Sequence, residues 1–569
     1  MNILGIGGLL HDPSAALLKQ GALVAAVESE KVTRHHGELS VFPREAIDAV
    51  LAAGGISWDQ IDLIATNWDA RLRSHLGYVP FALQCLSHGI DPRPHLMVLG
   101  SIAASHFRTA IHLQVRARTV PQLRPVRHHL AHVGISYTLS PHDEAAVAII
   151  DGAAETDATS LYYARGRDLR LLRRWSLLDG SLGNLFAMGT QHLGFRMLGD
   201  EYKVMALAAL GRPNRPLERF FEQAVPVVHG RYRVNRQVVG AYVKNGYHFP
   251  DWVGREVLAP RPEGAPLEQE HFDFARAMQD RISTVLVDLM RDLRQQTGCR
   301  VLCLGGGVAM NSVINGRIAA EAGYDQVHIP PVAHDGGTAA GAAAWLAFHE
   351  LGDMRPAPLI SPHIASDETE AAVTLAVQRC GLPAYQTENA PAEAARLIAS
   401  GKIVAWFQGQ AEFGPRALGN RSLLGDPRNP AMRDMLSIAT KGREPFRPLA
   451  VSVLAEHFAG YFSEVHRNPY MTMVAPASPR AVREIPAGVH SDGTSRPQAV
   501  DSATFPRFHA LIAAFEELTA VPAVLNTSFN FNREPMVRTA RDAIASFANM
   551  AIDHLFIDGW LIDKGGKRK

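Results

Sequence analysis

Hydrophobic and polar positions alternate over short runs at the start of the chain, and the pattern returns later in its first half. The first block predicts strands at residues 2–7, 14–18 and 22–28, with Gly21 as a hairpin residue. The second block predicts three strands in the same order, at residues 146–151, 159–164 and 169–175. The repetition predicts an internal duplication, with a second half from about residue 145. We expect the polar turns after the two first strands to face a shared cleft, where backbone amides suit a phosphate.

Longer periodic segments follow these blocks. The other elements predicted in the first part are helices at 43–53, 102–118 and 272–296 and strands at 61–66 and 300–304. Three prolines fall within residues 352–363, so we place a boundary there between a domain of residues 1–355 and a domain of residues 356–569. In the second domain, a helix at about 391–400 precedes a strand at 403–407.

Two histidines four residues apart, His128 and His132, mark the first candidate site. If residues 133–139 are helical, both imidazoles share one helix face, which suits two neighbouring positions on one metal ion. Such a pair alone is more often a packing feature. Two aspartates favour a metal site over packing, because Asp151 ends a buried apolar run and Asp335 opens a small-residue helix. Two histidines and two aspartates would suit iron, manganese or zinc.

A run of three glycines, Gly305 to Gly307, separates the predicted strand at 300–304 from a helix. Glycines at this point let a flat or anionic ligand approach the backbone and the helix N-terminus, which favours a nucleotide over a plain tight turn. Lys203, in an earlier segment, is placed to reach a phosphate or a carboxylate.

Cations of the second domain lie beside Gly, Pro and Phe. They occur in segments 413–422 and 441–448, and segment 526–530 adds Asn and Ser donors after an apolar run. Arginine forks and lysine charges of this kind describe a pocket for a phosphorylated, planar small molecule. A solvated basic face is the ordinary alternative.

Composition and charge limit the kinds of partner that the protein is expected to bind. The chain has 569 residues, 47% of them hydrophobic, and a formal net charge of +1, which gives no electrostatic footprint for nucleic acid. Its four cysteines have no zinc or redox spacing, and we interpret them as reduced thiols of a cytoplasmic protein. We expect no membrane partner, because no apolar run approaches the ~20 residues of a membrane helix.

Together these motifs resemble the NodU/TobZ type of ATP-dependent O-carbamoyltransferase over nearly the whole chain. Seven motifs carry the resemblance in order: HDPSAA at 11–16, the histidine pair, Asp151-Gly152, YKVM at 202–205, GGGVAMN at 305–311, FGPRALGNRS at 413–422 and NTSFN at 526–530. The resemblance implies an α/β protein. Its first domain would be a duplicated actin-like (ribonuclease H-like) ATPase fold similar to TsaD, and its second a YrdC-like α/β domain.

The resemblance also implies a two-step reaction with carbamoyl phosphate, ATP and Mg²⁺. The second domain would form carbamoyl-adenylate, and the first would transfer the carbamoyl group to a hydroxyl of a small molecule, a sugar or natural product. His11 would be the base, and a divalent metal, Fe²⁺, would be held by His128, His132, Asp151 and Asp335. Carbamoyl phosphate would be bound by Arg416, Arg421, Lys441, Arg447, Asn526 and Ser528. The nucleotide or the adenylate would be bound by Lys203, Gly306, Gly307, Asn311 and Arg496.

A departure from the family pattern at Arg34 and two alternative functions accompany this resemblance. Arg34 is followed by two histidines where the family has lysines, so a family phosphate contact is missing. An actin-like fold alone is also typical of a small-molecule kinase, which would release ADP and have no use for the basic pocket. A tRNA threonylcarbamoyl-type transferase is disfavoured by the near-neutral charge. Whether two copies pair as a homodimer stays open.

Overall fold

The structure is a computed structural model. It describes residues 1–8, 10–39, 41–69, 86, 100, 109, 121–177, 179–228, 230–240, 248–365, 368–440, 442, 444, 446–462, 467–531 and 534–564. Most of the predicted helix at 102–118 lies outside these residues. No helix among the described residues is long and apolar enough to span a bilayer.

The chain divides into two compact units. Unit 1 comprises Met1–Leu23, Leu39–Pro43 and Ile56–Pro358, and unit 2 comprises Val24–Glu38, Arg44–Gly55 and Leu359–Lys569. Two N-terminal segments with helices α1 (Ser29–Thr33) and α2 (Arg44–Ala53) therefore belong to unit 2. The predicted boundary near residue 355 had assigned them to the first domain.

Two five-stranded sheets have the same topology. The first has the order β3-β2-β1-β4-β5, with strands β1 (Asn2–Gly7), β2 (Ser14–Lys19), β3 (Ala22–Glu28), β4 (Leu63–Thr66) and β5 (Gln122–Pro125). The second has the order β12-β11-β6-β7-β8, with strands β6 (Glu144–Ile150), β7 (Asp157–Arg165), β8 (Asp168–Ser176), β11 (Val301–Gly305) and β12 (Gln326–His328). A small hairpin contains β9 (Val227–Val228) and β10 (Arg231–Tyr232).

Strand directions agree between the two sheets as well. In each, the first strand is antiparallel to the second and parallel to the fourth, and the fourth is parallel to the fifth. The two sheets therefore share one topology, which is the arrangement that an internal duplication predicts. This mixed α/β arrangement confirms the predicted fold class.

Helices cover these sheets. Among the described residues of unit 1 they are α3 (His128–Val133), α4 (Leu182–His192), α5 (Glu201–Ala208), α6 (Arg215–Ala224), α7 (Arg236–Val239), α8 (Asp251–Glu256), α9 (Gln269–Thr297), α10 (Ser312–Glu321) and α11 (Thr338–Trp345). A π-helical turn, Gly134–Thr138, continues α3. Helix α9 begins at a capping box formed by Glu268 and His271 and ends at Gly298, whose φ is 68°.

Helix α11 consists almost entirely of small residues because other backbones pack directly against it. A Cβ added to Gly341 would lie 1.9 Å from the carbonyl oxygen of Ala131 in α3. A Cβ added to Gly5 of β1 would lie 2.0 Å from the carbonyl oxygen of Ala339 in α11. This packing fixes α3, which carries the histidine pair, against the helix that follows Asp335.

Unit 2 is built around a nine-stranded sheet of order β13-β21-β20-β14-β15-β19-β16-β18-β17. Its strands are β13 (Ala384–Gln386), β14 (Val404–Phe407), β15 (Arg421–Gly425), β16 (Ala450–Leu454), β17 (Ala475–Pro476), β18 (Thr494–Val500), β19 (Ala523–Ser528), β20 (His554–Ile557) and β21 (Trp560–Asp563). Its further helices are α12 (Glu370–Gln378), α13 (Ala390–Ala399), α14 (Met432–Asp434), α15 (Phe458–Tyr461), α16 (Pro479–Glu484), α17 (Pro506–Thr519) and α18 (Ala540–Ala548).

Candidate metal centre and candidate anion site

Four side chains from three segments of unit 1 meet at one point. Helix α3 presents His128 and His132 one turn apart, Asp151 follows the last residue of β6, and Asp335 opens the turn before α11. One ligand atom of each residue lies within 4.8 Å of the others, and all four residues are buried. His132 Nε2 lies 3.0 Å from Asp151 Oδ2 and 3.4 Å from Asp335 Oδ1.

The orientation of His128 is set by its surroundings. Trp68 stacks on the His128 ring with a centroid distance of 4.1 Å, and His128 Nδ1 donates to the carbonyl oxygen of Asn67 at 3.3 Å. His128 Nε2 then faces Asp151 at 3.2 Å and Asp335 at 3.3 Å. A histidine held through its other nitrogen in this way presents a preset tautomer to a metal.

The charges of this cluster stabilise one another. Burial lowers the pKa of His128 and of His132, but the carboxylates of Asp335 and Asp151 outweigh burial and raise both pKa values. Burial also opposes ionisation of the two carboxyl groups, yet the histidines hold the pKa of Asp151 and the pKa of Asp335 well below their usual range. The two carboxylates therefore favour positive charge at this point.

The donor set fits a divalent cation. Asp335 Oδ2 is buried and has no hydrogen-bond partner within the described part of the chain. The Nε2 atoms of His128 and His132 face each other at 3.2 Å, and only one of two neutral imidazoles could donate across that distance. Imidazole nitrogens and carboxylate oxygens together suit iron, manganese and zinc.

His11 lies at the edge of the cluster. Its Nε2 is 3.6 Å from Asp335 Oδ2, and its Nδ1 is 3.1 Å from Asp12 Oδ2. Burial lowers the pKa of His11, but Asp335 and Asp12 outweigh burial and raise it to about 10. Asp12 has a left-handed backbone, with φ 51°, and also approaches His334 Nδ1 at 3.4 Å. Asp12 therefore orients His11 so that Nε2 faces the cluster.

The predicted glycine segment lies beside the same cluster. Gly306 has φ 91°, and an added Cβ would lie 2.3 Å from the carbonyl oxygen of Ile150, so only glycine fits there. The N–H of Gly307 donates to Asp151 Oδ1 at 3.2 Å. The glycines thus let the chain pass close to the candidate metal ligand.

Asn311 and Lys203 have partners within the protein. Asn311 Oδ1 caps α10 by accepting the N–H of Val313 at 3.2 Å, and its amide nitrogen donates to Gln279 at 2.8 Å. Lys203 Nζ lies 3.0 Å from Asp200 Oδ1. The nucleotide contacts expected of both residues stay predictions.

Three arginines of unit 2, Arg416, Arg447 and Arg496, lie close enough to affect one another's pKa values, and Arg447 also approaches Glu444 at 3.6 Å. Arg496 on β18 and Asn526 on β19 both pair in register with Ala450 of β16. Burial and the charge of Arg496 lower the pKa of Arg416 to about 9. Burial and the charge of Arg447 lower the pKa of Arg496 to about 10. An anion bound here would relieve this repulsion, so the cluster is the candidate anion site.

Asn526 belongs to a buried polar network beside this cluster. Its amide nitrogen donates to Ser452 Oγ at 3.0 Å and to the carbonyl oxygen of Ala417 at 3.2 Å. Its Oδ1 is buried and has no partner among the residues that the structure describes. Ser528 donates to Asn530 at 2.6 Å. Lys441, also predicted at this site, lies outside the described residues.

Arg421 corrects the sequence-based prediction. It is fully buried, and its guanidinium lies 3.5 Å from the centre of the Phe407 ring. Its five N–H groups are directed at backbone carbonyl oxygens, those of Gln408, Gly409, Asn420 and Arg538, at 2.8–3.2 Å. No donor is left for a phosphate, so the structure assigns Arg421 to the scaffold.

Sequence reasoning missed Glu155. Its Oε1 accepts the N–H of His128 at 2.9 Å and that of Asp69 at 3.2 Å, so it holds the N-terminus of α3. The available signal was a carboxylate in the turn after Asp151, but only the fold brings it to a helix start.

Comparison with known proteins identifies the family. The family model described as the carbamoyltransferase N-terminus matches residues 2–344, and the model described as the carbamoyltransferase C-terminus matches residues 395–564. The chain belongs to the carbamoyltransferase family. This membership confirms the resemblance stated from the sequence and makes the protein a carbamoyltransferase.

Similar proteins cover nearly the whole carbamoyltransferase chain. An uncharacterized protein of Synechocystis sp. is 32% identical and matches 99% of this chain and 97% of its own. Nodulation protein NolNO of Sinorhizobium fredii is 31% identical over 98% of this chain and 79% of its own. Nodulation protein U of Bradyrhizobium diazoefficiens is 28% identical over 99% of this chain and 97% of its own.

Proposed function

We propose that this carbamoyltransferase forms carbamoyl-adenylate from carbamoyl phosphate and ATP and transfers the carbamoyl group to a hydroxyl of a small molecule such as a sugar or natural product. The observation that carries the proposal is the presence, within one carbamoyltransferase, of a buried His/Asp cluster in unit 1 and an arginine cluster in unit 2. The two clusters suit the two halves of that reaction.

In the first half-reaction, water cleaves carbamoyl phosphate to carbamate and phosphate. A carbamate oxygen then attacks the α-phosphorus of ATP, and pyrophosphate leaves. Arg416 and Arg496 have pKa values of about 9 and about 10, so both are charged at neutral pH and can bind the phosphate groups. Asn526 Oδ1, buried without a partner among the described residues, is an acceptor suited to the carbamoyl NH₂ group.

In the second half-reaction, the acceptor oxygen attacks the carbamoyl carbon, and AMP leaves with the bridging oxygen. His128, His132, Asp151 and Asp335 would hold a divalent metal, which we propose is iron, and that metal would supply Lewis-acid stabilisation of negative charge on the leaving phosphate.

His11 would take the proton of the acceptor hydroxyl at Nε2 while Asp12 holds its Nδ1. His11 accepts a proton only when it is neutral, and the charge of Asp335 contributes to its pKa of about 10. His11 is therefore a base when that carboxylate charge is shared with a metal.

The test follows pyrophosphate and ADP in a mixture of the protein, ATP and carbamoyl phosphate without an acceptor. We expect pyrophosphate only when carbamoyl phosphate is present, and we expect Arg416→Ala to abolish it. Arg480→Ala is the matched control, because Arg480 pairs with Glu484 at 2.9 Å on α16 and has no part in the arginine cluster. ADP as the product, or turnover indifferent to carbamoyl phosphate, would overturn the proposal.

A further inference from the structure

Lys31, on α1 in an N-terminal segment of unit 2, is a buried lysine whose three N–H donors are all used. The side chain is only 2% exposed. Its Nζ donates to Glu28 Oε1 at 3.1 Å, to the carbonyl oxygen of Glu412 at 2.8 Å and to that of Gly414 at 2.6 Å. Two of its three bonds therefore go to one loop.

Glu28 completes a clamp on that loop. Its Oε1 accepts the N–H of Gly414 at 2.8 Å, while Lys31 holds the carbonyl oxygen of the same residue. Gly414 has φ 124°, a conformation that favours glycine. Arg416, of the candidate anion site, follows two residues later.

Glu412 closes the loop from within. Its Oε1 accepts the backbone N–H groups of Leu418 at 2.8 Å, Asn420 at 2.9 Å and Arg421 at 3.1 Å. Since Lys31 holds the backbone of Glu412 itself, the loop from residue 412 to residue 421 is folded around one carboxylate and fastened by one ammonium group.

A second contact ties the same N-terminal segment to the loop after β19. Arg34 donates to the carbonyl oxygen of Met536 at 2.8 Å and approaches Glu534 at 3.8 Å and Asp542 at 3.9 Å. The N-terminal segment is therefore attached to unit 2 both at the loop of residues 412–421 and at the loop after β19.

The contacts of Lys31 and Glu28 do more than stabilise the fold. A buried ion pair by itself is weak evidence for stability, because desolvation offsets its attraction. Arg416 and Arg496 repel each other, so contacts that hold the loop of Arg416 keep the two like charges close together.

We infer that Lys31 and Glu28 are positioning residues of the carbamoyl phosphate site, which hold the loop of residues 412–421 so that Arg416 stays beside Arg496. The inference rests on the proposed function for its ligand, carbamoyl phosphate. The adenylating site is thus completed by a segment from the start of the chain.

The test compares wild type with the double variant Lys31→Met/Glu28→Gln. The double variant removes both buried charges together, and the glutamine oxygen still accepts the N–H of Gly414. In the pyrophosphate assay we expect the KM for carbamoyl phosphate to rise by roughly tenfold or more while the KM for ATP stays within about twofold. Arg480→Met is the control and should leave both KM values unchanged.

Binding of inorganic phosphate to the full-length protein, measured by calorimetry, gives a readout without activity. We expect the double variant to bind phosphate at least about tenfold more weakly than wild type. If the double variant does not fold, Lys31→Gln replaces it, since its amide can still donate to one of the two carbonyl oxygens, and we expect a smaller loss in the same direction.

The outcomes separate the two proposals. A folded variant with unchanged phosphate affinity and unchanged KM for carbamoyl phosphate would overturn the role of Lys31 and Glu28. Wild-type protein that makes no pyrophosphate would overturn the proposed function, and phosphate binding would still decide the positioning role.

Discussion

Single side chains decide what the buried cluster of unit 1 can hold. His128 and His132 point at the two carboxylates, whereas His129, between them in sequence, bonds instead to Ser160 Oγ at 2.7 Å. Burial lowers the pKa of His129 to about 3, so it is neutral. His128 and His132 therefore face the carboxylates, whereas the adjacent His129 does not. A substitution of His129 can serve as a control for metal binding.

Removal of one candidate ligand should weaken metal binding. We expect His132→Ala to weaken affinity for a divalent metal by at least about 100-fold, because a ligand contributes more than the outer contacts whose loss costs about 10–100-fold. Metal content of the purified proteins, measured by elemental analysis, checks this. His129→Gln should retain metal, and equal metal content in the His132→Ala protein would contradict the assignment.

The metal-free protein should become less stable as pH rises from 6.5 to about 9. The pKa of His11 is raised from 6.5 to about 10, and those of His128 and His132 are raised too, so the folded state binds more protons than the unfolded state in this interval. Stability from a raised pKa is complete below the unfolded value and is lost as pH approaches the folded value. We expect the Tm of chelated protein to fall by roughly 5 °C or more across the interval.

Metal-loaded protein provides the comparison for this titration. Its histidines are already deprotonated, so its Tm should fall less over the same pH interval. A metal-free Tm that stays constant or rises from pH 6.5 to about 9 would count against the charged cluster described here.

Helix α11 connects the parts of the candidate metal centre. It follows Asp335 directly, and its small residues let α3 and β1 approach its backbone. Helices of this composition have no amphipathic pattern, because every face is buried. The position of the ligands thus depends on backbone packing that tolerates no added methyl group.

Gly341→Ala should therefore damage both stability and metal binding. The added Cβ would lie 1.9 Å from the carbonyl oxygen of Ala131, so α3 must shift. We expect a loss of about 1–3 kcal/mol in the free energy of unfolding, typical of overpacking, together with weaker metal affinity. Gly559→Ala is the control, because nothing lies within 4 Å of its added Cβ. Denaturant unfolding and metal titration measure these two quantities. If the two variants have the same free energy of unfolding and the same metal affinity, the packing argument is wrong.

The two compact units of the molecule do not correspond to two continuous halves of the sequence. The proline-rich stretch suggests a cut near residue 355, but α1 and α2 belong to unit 2. Helix α2 buries Ala46, Ile47, Val50 and Leu51 there. The loop that carries Arg416 is also held by Lys31, from the start of the chain.

A fragment of residues 359–569 should not fold as unit 2 does. Without residues 24–55 it leaves apolar surface uncovered and the carbonyl oxygens of Glu412 and Gly414 without the lysine that binds them. We expect a broad thermal transition by circular dichroism, which addition of a peptide of residues 24–55 sharpens. A fragment that unfolds cooperatively at the same temperature as the full chain would contradict this.

Local patterns in the sequence were sufficient to predict most elements and the candidate metal ligands. Strands β1 to β3 and helix α9 were predicted within a few residues, because hydrophobic periodicity is a local signal. His128 and His132 were chosen from their spacing, and Asp151 and Asp335 were chosen from their places after apolar runs. The structure brings the four residues together.

Tertiary structure alone decided the rest. Arg421 was assigned to phosphate from its neighbours in sequence, but the fold directs all its donors to backbone carbonyl oxygens. Glu155 and Lys31 carry no periodic signal, and their partners are distant segments of the chain. Sequence patterns report which residues are buried and which lie in turns. Burying a charge costs free energy unless the charge finds a hydrogen-bond partner. Which distant backbone group becomes that partner is fixed only when the segments pack against each other.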